Sequence, residues 1–386
     1  MPTRDHRAVL VTGRGAICAL GASVASLWDG LVSGRAAIAP ATGFAAGDLK
    51  PNHVAEVRAP AIGDPDRAGA FAVHAAREAL EDAGLLSDRD TRIGVALGTT
   101  LGGMKLFEAW TGGAMSGLER VPYYAPAVRV ARTFGCTGPV ATPQLACASG
   151  THAIALAAEW VRTGQADVVL AGGADLLCRF VVAGFNCLRA TAEEARPFDA
   201  ARRGLVLGEG AAILVVESEG HARRRGASAQ ARLTGTGAAA DATHMTAPDR
   251  EGRGAARAIE AALAHAGLAP AAIDFVSAHG TGTVYNDAME AVAIAGVFGP
   301  RAVPVNSIKG AIGHTLGAAG ALEAVMCVEV LRTGVIPPSA GLHELDPACA
   351  ALDVVRGAPR TRQVRAVLST SSGFAGANAA LVLEAP

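Results

Sequence analysis

Charge imbalance is missing from this sequence: 34 Lys and Arg stand against 35 Asp and Glu, a net charge of −1. No global field therefore favours nucleic acid or an anionic membrane, and a charged partner must be met by a local patch. Paired cysteines are missing as well. Cys18, Cys136, Cys147, Cys178, Cys187, Cys327 and Cys349 are scattered, odd in number and without a CxxC pair. That excludes a disulfide framework and a zinc site, and points to a reducing compartment. No apolar run approaches the ~18 residues of a membrane span. Met1–Gly13 enters a strand-like stretch with no signal-peptide core, so the chain reads as soluble and cytoplasmic. Low-complexity segments and flexible linkers are absent too.

What is present suits a packed globular protein of about two domains, or one large fused one. The chain is 51% hydrophobic, 18% charged and rich in alanine, with 47 glycines. Strand-like runs at Ala8–Thr12, Ile93–Leu97, Val140–Leu145, Val168–Ala171, Ala211–Glu217, Ala231–Gly235, Phe275–Ala278, Val303–Asn306 and Ala366–Thr370 alternate with helical patterns, which predicts an α/β fold. Helices are expected at Arg67–Ala83, Ala148–Arg162, Gly254–Ala266 and Leu316–Arg332, each with a glycine just beyond it (Gly84, Gly164, Gly267, Gly334).

The chain also repeats itself weakly. AVHAAREALEDAGL, followed by RIGVALG, parallels AARAIEAALAHAGL, followed by IDFVSAHG. A strand, then Cys147, then a helix parallels a strand, then His314, then a helix. Either alanine-rich amphipathic helices simply look alike, or two similar halves meet near residue 230. In the second case equivalent strand ends converge, and a central site would draw residues from both halves.

Four segments carry chemistry. In QLACASGTHAIALAAEW an apolar strand stops at Cys147, and small residues permit a sharp turn into a helix, the geometry of a nucleophile elbow. A helix N-terminus there is expected to lower the thiol pKa, and its backbone N–H groups suit an oxyanion. The alternative is a buried structural cysteine, the commoner fate of this residue and the one assigned to the other six. In SAHGTGTVYNDAME, His279 follows a strand end, with the hydroxyls of Thr281 and Thr283 placed for a polar ligand arm. In VNSIKGAIGHTLGAAGALEA, Lys309 and His314 share a glycine-punctuated loop ahead of a helix carrying Glu323. A lysine beside an imidazole helps to keep it neutral. Finally, STSSGFAGANAALVLE places a turn, Gly373–Gly376, after a strand. On its own the His279 segment reads better as an ordinary polar loop, and Lys309 with Glu323 reads as a solvated pair, so neither segment decides alone. The early GRGAICALG imitates a dinucleotide fingerprint but lacks the GxGxxG spacing.

Together these segments closely resemble the β-ketoacyl-acyl carrier protein synthases of type II fatty acid and polyketide synthesis, in their Cys-His-His elongating class. The resemblance runs in order through ACASG, RPFDAARRGLVLGEGA, DATHMTAP, AHGTGT, SIKGAIGHTLGAAGALE and SSGFAGANA. It implies the thiolase fold, two pseudo-duplicated α/β halves in αβαβα layers: residues 1–230 with the nucleophile, and 231–386 with the two histidines. It further implies Cys147 as the acyl-accepting nucleophile and His279 and His314 as donors to the malonyl thioester carbonyl. Lys309 and Glu323 match the charged pair behind them, and Phe374 matches the gate. Thr246, Thr281 and Thr283 fall where the family contacts the phosphopantetheine arm, and Leu101 where it lines the acyl pocket. The implied reaction is a decarboxylative Claisen condensation with malonyl carrier protein. No metal or organic cofactor is implied beyond the pantetheine arm that the carrier brings. The implied partners are an acidic acyl carrier protein, which Arg67, Arg196, Arg202 and Arg203 are candidates to meet, and a second chain in a homodimer or a heterodimer.

The sequence also departs from the family pattern. Thr370, Ser372, Ala375 and Ala377 stand where the family has Asn, Phe, Gly and Thr, and the segment between Leu101 and Cys147 is about ten residues short for a fatty-acid elongating member, in a region where loop length varies. Three readings compete. An active synthase would serve either housekeeping fatty acid or specialised polyketide or polyene synthesis, and the altered gate leans toward the latter. A coenzyme A thiolase would need a second cysteine in the C-terminal glycine turn, and there is none. A chain-length-factor-like partner would normally have lost the nucleophile, which is present.

Overall fold

A computed structural model describes residues 8–58, 64–88, 90–113 and 116–386; the signal-peptide reading of Met1–Arg7 lies outside them. The alternating β-branched and alanine runs form an eleven-stranded sheet. Its strands are Val9–Cys18 (β1), Ile93–Gly98 (β2), Val140–Ala141 (β3), Val168–Asp175 (β4), Gly210–Ser218 (β5), Ala231–Ala240 (β6), Phe275–Ser277 (β7), Pro304–Asn306 (β8), Asp353–Val354 (β9), Ala366–Gly373 (β10) and Ala377–Glu384 (β11). The order is β9-β8-β7-β10-β11-β6-β1-β5-β4-β2-β3. Outward from β1 the pairings run antiparallel, antiparallel, parallel, parallel. Outward from β6 they begin with the same sequence of senses. The two series meet where Leu10 and Val11 oppose Arg232 and Ala231.

Side-chain alternation on the strands builds the layers. Val168 and Leu170 of β4 pack with Ile213 and Val215 against Phe71, Ala75 and Leu80 of the helix Arg67–Asp82 (α1). Val169 and Ala171 point the other way, into a cluster with Ile154 and Val161 of Ser149–Arg162 (α2) and with Leu322 and Val325 of Ala319–Thr333 (α4). On the second half, Val276, Leu368 and Val382 cover Ile259 and Leu263 of Arg253–Ala266 (α3), while Phe275, Val367 and Leu381 face the central helices. The layers are therefore α1, sheet, α2 with α4, sheet, α3. Each fully buried large aliphatic contributes about 1.5–3 kcal/mol. Helix α4 is buried on every side from Ala319 to Leu331, and its two buried carboxylates, Glu323 and Glu329, are ion-paired with Lys309 and with Arg14 and Arg332.

The GxG pair in the middle of β1 has a packing role. A Cβ on Gly13 or Gly15 would lie 2.3 or 1.9 Å from the Ala79 or Ala75 carbonyl of α1. In β6, Gly235 and Gly237 stand in the same relation to Ala262 and Ala258 of α3, at 2.2 and 2.1 Å. Both glycine pairs let a helix backbone lie directly on a strand.

Two expected elements differ. Only Val140–Ala141 of the expected Val140–Leu145 strand pairs, because the chain must leave the sheet edge to reach the centre. The helix expected from Leu316 begins as a tighter turn, Leu316–Ala318, with Leu316 at φ 53°, and becomes α-helical at Ala319. Strand β11 and the helices Val24–Val32, Met104–Thr111, Ala125–Phe134, Arg179–Cys187 and Val284–Phe298 were not legible. Because α2 and α4 pack side by side, the loops that feed their N-termini, with Cys147 and His314, meet at the middle of the molecule.

Candidate active site

Cys147 lies two residues ahead of α2 and is buried. Ala146 is held at φ 47°, a left-handed conformation that costs a non-glycine residue roughly 1–2 kcal/mol. Ser149 fixes the turn: its hydroxyl donates to the Ala146 carbonyl at 2.6 Å and accepts the Leu145 N–H at 2.9 Å. The expected elbow is present. The expected lowering of the thiol pKa is not: burial pushes Cys147 up to about 12, against the opposing effects of the Lys309 charge and the backbone N–H groups of Cys147 and Phe374. Desolvation thus outweighs the helix N-terminus and favours the neutral thiol of Cys147. The two N–H groups that approach the sulfur are the donors an oxyanion at that carbon would use.

His279 and His314 are both buried, their rings edge to face with centroids 5.1 Å apart. The Leu316 N–H donates to His314 Nδ1 at 3.3 Å, so the neutral ring carries its proton on Nε2. Lys309 Nζ lies 3.3 Å from His279 Nδ1 and donates to the His279 carbonyl at 2.5 Å, which places that ring proton on Nε2 as well. Both pKa values fall well below the usual range, through burial first and the Lys309 charge second, with His314 adding to the effect on His279. Two neutral N–H donors result. Lys309 is five residues from His314 in sequence but reaches His279 instead, and it forms a fully buried ion pair with Glu323.

Three buried carboxylates that shape this site were not singled out from the sequence. Glu290 accepts the His279 and Gly280 N–H groups at 2.7 and 2.6 Å. Asp287 accepts those of Thr281 and Gly282 at 3.0 and 3.1 Å, and of Phe198 at 2.7 Å. Their positions four and seven residues after AHGTGT, three apart on the helix that follows, were the available signal. Asp175, ending β4, takes the Thr99 hydroxyl at 2.7 Å and the N–H groups of Thr100, Leu101 and Gly317 at 2.8, 3.0 and 2.6 Å. It thereby braces the loop that follows His314 against the 99–101 loop. Asp175→Asn replaces one acceptor oxygen by a donor and leaves a buried N–H unsatisfied. A loss of about 2 kcal/mol in denaturant unfolding is expected, within the ~1–3 kcal/mol usual for such a group.

A cavity of about 350 Å³ opens from Cys147, His279, His314 and Phe374 past Thr246, Thr281 and Thr283 to the surface. The Phe374 ring stacks on Phe185 at 5.8 Å between centroids. Ala375 adopts φ 62°, the conformation for which glycine is suited, and its N–H donates to the Met245 carbonyl at 2.7 Å.

Other expected residues are placed differently. Leu101 does not line this cavity; it packs against a neighbouring apolar cluster with Leu176, Val181 and Leu316. Arg67 is committed inside the fold, ion-paired with buried Glu209 and set 4.8 Å from the Phe71 ring centroid. Arg202 is buried, pairs with Asp346 and donates to the Thr283 and Val284 carbonyls. Arg202, fully buried, offers no surface to a carrier, and the half-buried Arg67 has its guanidinium taken up by Glu209 and the Val57 carbonyl. Arg196 is engaged by Glu194 and Asp199. Arg203 is exposed at the cavity mouth, where Arg189 joins it.

This layered fold, with a cysteine elbow and paired neutral histidines at its centre, defines a carbon–carbon condensing acyltransferase of the thiolase fold. The profile described as "Beta-ketoacyl synthase, N-terminal domain" matches residues 6–222, and "Beta-ketoacyl synthase, C-terminal domain" matches 230–343. Nodulation protein E of Rhizobium sp. (strain N33) is 40% identical over 403 residues, covering 98% of this chain and 99% of the relative. The 3-oxoacyl-[acyl-carrier-protein] synthase 2 of Coxiella burnetii is 36% identical, covering 98% of this chain and 99% of that one. Among solved structures, the ishigamide ketosynthase/chain length factor superposes with a TM-score of 0.92 at 37% identity, covering 99% of this chain and 100% of that chain. The chain belongs to the β-ketoacyl synthase family.

Proposed function

We propose that this chain is a catalytically active β-ketoacyl-carrier-protein synthase. One observation carries the reading: Cys147, two oxyanion donors and two histidines with Nε2–H groups open onto a single cavity. In the first step Cys147 Sγ bonds to the acyl carbon, the carbon–sulfur bond to pantetheine breaks, and the thiol proton passes to the departing sulfur. The Cys147 and Phe374 N–H groups hold the transient oxyanion. In the second step malonyl carrier protein loses carbon dioxide, and the two Nε2–H groups stabilise the enolate oxygen. The enolate carbon then attacks the acyl-Cys147 thioester, expelling the thiolate and yielding the β-ketoacyl carrier. The pathway asks for no metal or organic cofactor beyond the carrier's pantetheine arm.

Arg189 and Arg203 at the mouth supply positive charge for an acidic carrier, which a salt-sensitive encounter would reveal. A homologous second chain could pair along the free edge of β3, where Val140 is exposed. Absence of a membrane-crossing helix among the described residues and seven free cysteines are consistent with a cytoplasmic protein. Ser372 and Ala375 in the gate turn favour a specialised polyketide or polyene pathway over housekeeping synthesis. The inert-partner reading is not favoured, because the nucleophile and both histidines are in place. Incubation with acyl carrier proteins from acetyl to decanoyl should add one acyl mass at Cys147 by intact and peptide mass spectrometry; no adduct across the series refutes the proposal.

A further inference from the structure

The turn that presents Phe374 is a hairpin between β10 and β11, with Ser372 opposite Asn378 and Gly373 opposite Ala377 at its mouth. A Cβ on Gly373 would lie 3.1 Å from the Cys147 nitrogen and 2.9 Å from the Leu145 carbonyl, so the hairpin rests directly on the elbow. Across its mouth runs a chain of side-chain bonds. The Ser372 hydroxyl donates to Asn378 Oδ1 at 2.7 Å, and Asn378 Nδ2 donates to Asp241 Oδ1 at 2.8 Å and to the Gly376 carbonyl at 3.1 Å. Asp241 Oδ2 accepts the Asp249 N–H at 3.0 Å, and the Asp241 N–H donates to Gly376. The residues between Asp241 and Asp249 include Thr246, on the cavity wall. Helix α3 makes room for this chain at Gly254, where a Cβ would lie 1.9 Å from Asp241 Oδ1 and 2.7 Å from Asn378 Nδ2.

Asn378 is 2% exposed, and its amide uses its oxygen on Ser372 and its nitrogen on Asp241 and Gly376. Without the Ser372 hydroxyl, that oxygen would lose its only side-chain donor among the described residues. The orientation of the amide, and with it the closure of the hairpin, would be less determined. We infer that Ser372 is a positioning residue: through Asn378 and Asp241 it sets the Phe374 N–H against Cys147 and ties the gate turn to the loop carrying Thr246. Where the family resemblance places a phenylalanine, this chain uses a hydroxyl to brace its oxyanion donor. The histidines stand on other loops, held by Glu290 and by Asp175, so the brace acts on acyl transfer more than on decarboxylation.

The inference rests on the synthase reading, and the experiment separates the two. Rapid-quench mass spectrometry follows Cys147 acylation by hexanoyl carrier protein, or by whichever of the acyl series loads the wild type best. Carbon dioxide release from malonyl carrier protein is measured in a Cys147→Gln background. Ser372→Ala should slow acylation roughly tenfold, a fraction of the 10²–10³ that loss of a whole oxyanion donor costs. Decarboxylation should change several-fold less, and Ser372→Thr, which keeps the hydroxyl, should recover most of the acylation rate. Equal acylation by wild type and Ser372→Ala overturns the inference while leaving the synthase reading intact. Acylation and decarboxylation falling together with melting temperature, unrescued by threonine, would assign Ser372 a merely structural role and overturn it also. A wild type that forms no adduct with any acyl carrier sinks both.

Discussion

Cys147→Gln is expected to abolish condensation while leaving malonyl carrier protein decarboxylation intact or faster. In the proposed mechanism the thiol is the atom that holds the acyl group, so its removal should end acyl transfer. By analogy with deleting the nucleophile of a coupled catalytic set, the loss is roughly 10⁶ in kcat. Decarboxylation uses different atoms, the Nε2–H groups of His279 and His314, which approach from loops of the second half. A glutamine carbonyl at this elbow would sit against the N–H groups of Cys147 and Phe374, much as an acyl thioester carbonyl does, and so reproduce the loaded state. Cys147→Ala removes the nucleophile without that mimicry, so its decarboxylation should be the lower of the two. Carbon dioxide release and β-ketoacyl formation, measured side by side, check the split. A glutamine variant that loses both activities while remaining folded would mean that the histidines do not work independently of the thiol.

His279→Ala and His314→Ala should each lower decarboxylation about 10²–10³-fold, or roughly 2.7–4 kcal/mol, the scale set by loss of a preorganised oxyanion donor. The double variant should fall short of the product, because two donors share one oxygen. Acyl adduct formation on Cys147 should survive in both single variants, since the acylation oxyanion has its own backbone donors. The pH profile follows from the direction of the shifts. Burial and the Lys309 charge lower both histidine pKa values. The neutral, donor-competent form therefore persists as the pH falls through the ordinary histidine range near 6.5. Decarboxylation by the Cys147→Gln variant should be level from pH 8 to pH 6 and decline only below that. A limb with a midpoint at or above 6.5 would show that a histidine titrates as if exposed, contrary to its surroundings.

The elbow, the glycine turns and the two histidine loops were readable because short-range chemistry writes them. A strand ending in small residues before a helix permits few turns, and the strands after which His279 and His314 fall were marked by apolar runs. The weak repeat anticipated an architecture in which β1 and β6 lead two similarly ordered series of strands. Where local pattern was thin, elements were lost: β11 reads ANAALVLE, which is too alanine-rich to separate from helix. Charged residues misled for a different reason. Arg67 and Arg202 look like surface cations in a list of residue types, yet Glu209 and Asp346, far away in sequence, claim them.

The sequence by itself determined the kind of turn that carries Cys147 and each histidine, since a turn follows from local backbone preference; that these residues meet was implied by the family resemblance. Only the tertiary structure decided their electrical state and their partners. Burial at the contact of α2 and α4 raises the thiol pKa that a helix N-terminus alone would lower. The same burial keeps both imidazoles neutral, and it brings the Lys309 ammonium to His279 rather than to its sequence neighbour. Desolvation depends on what every other segment packs against the group, a sum over the whole fold that no local stretch of sequence contains.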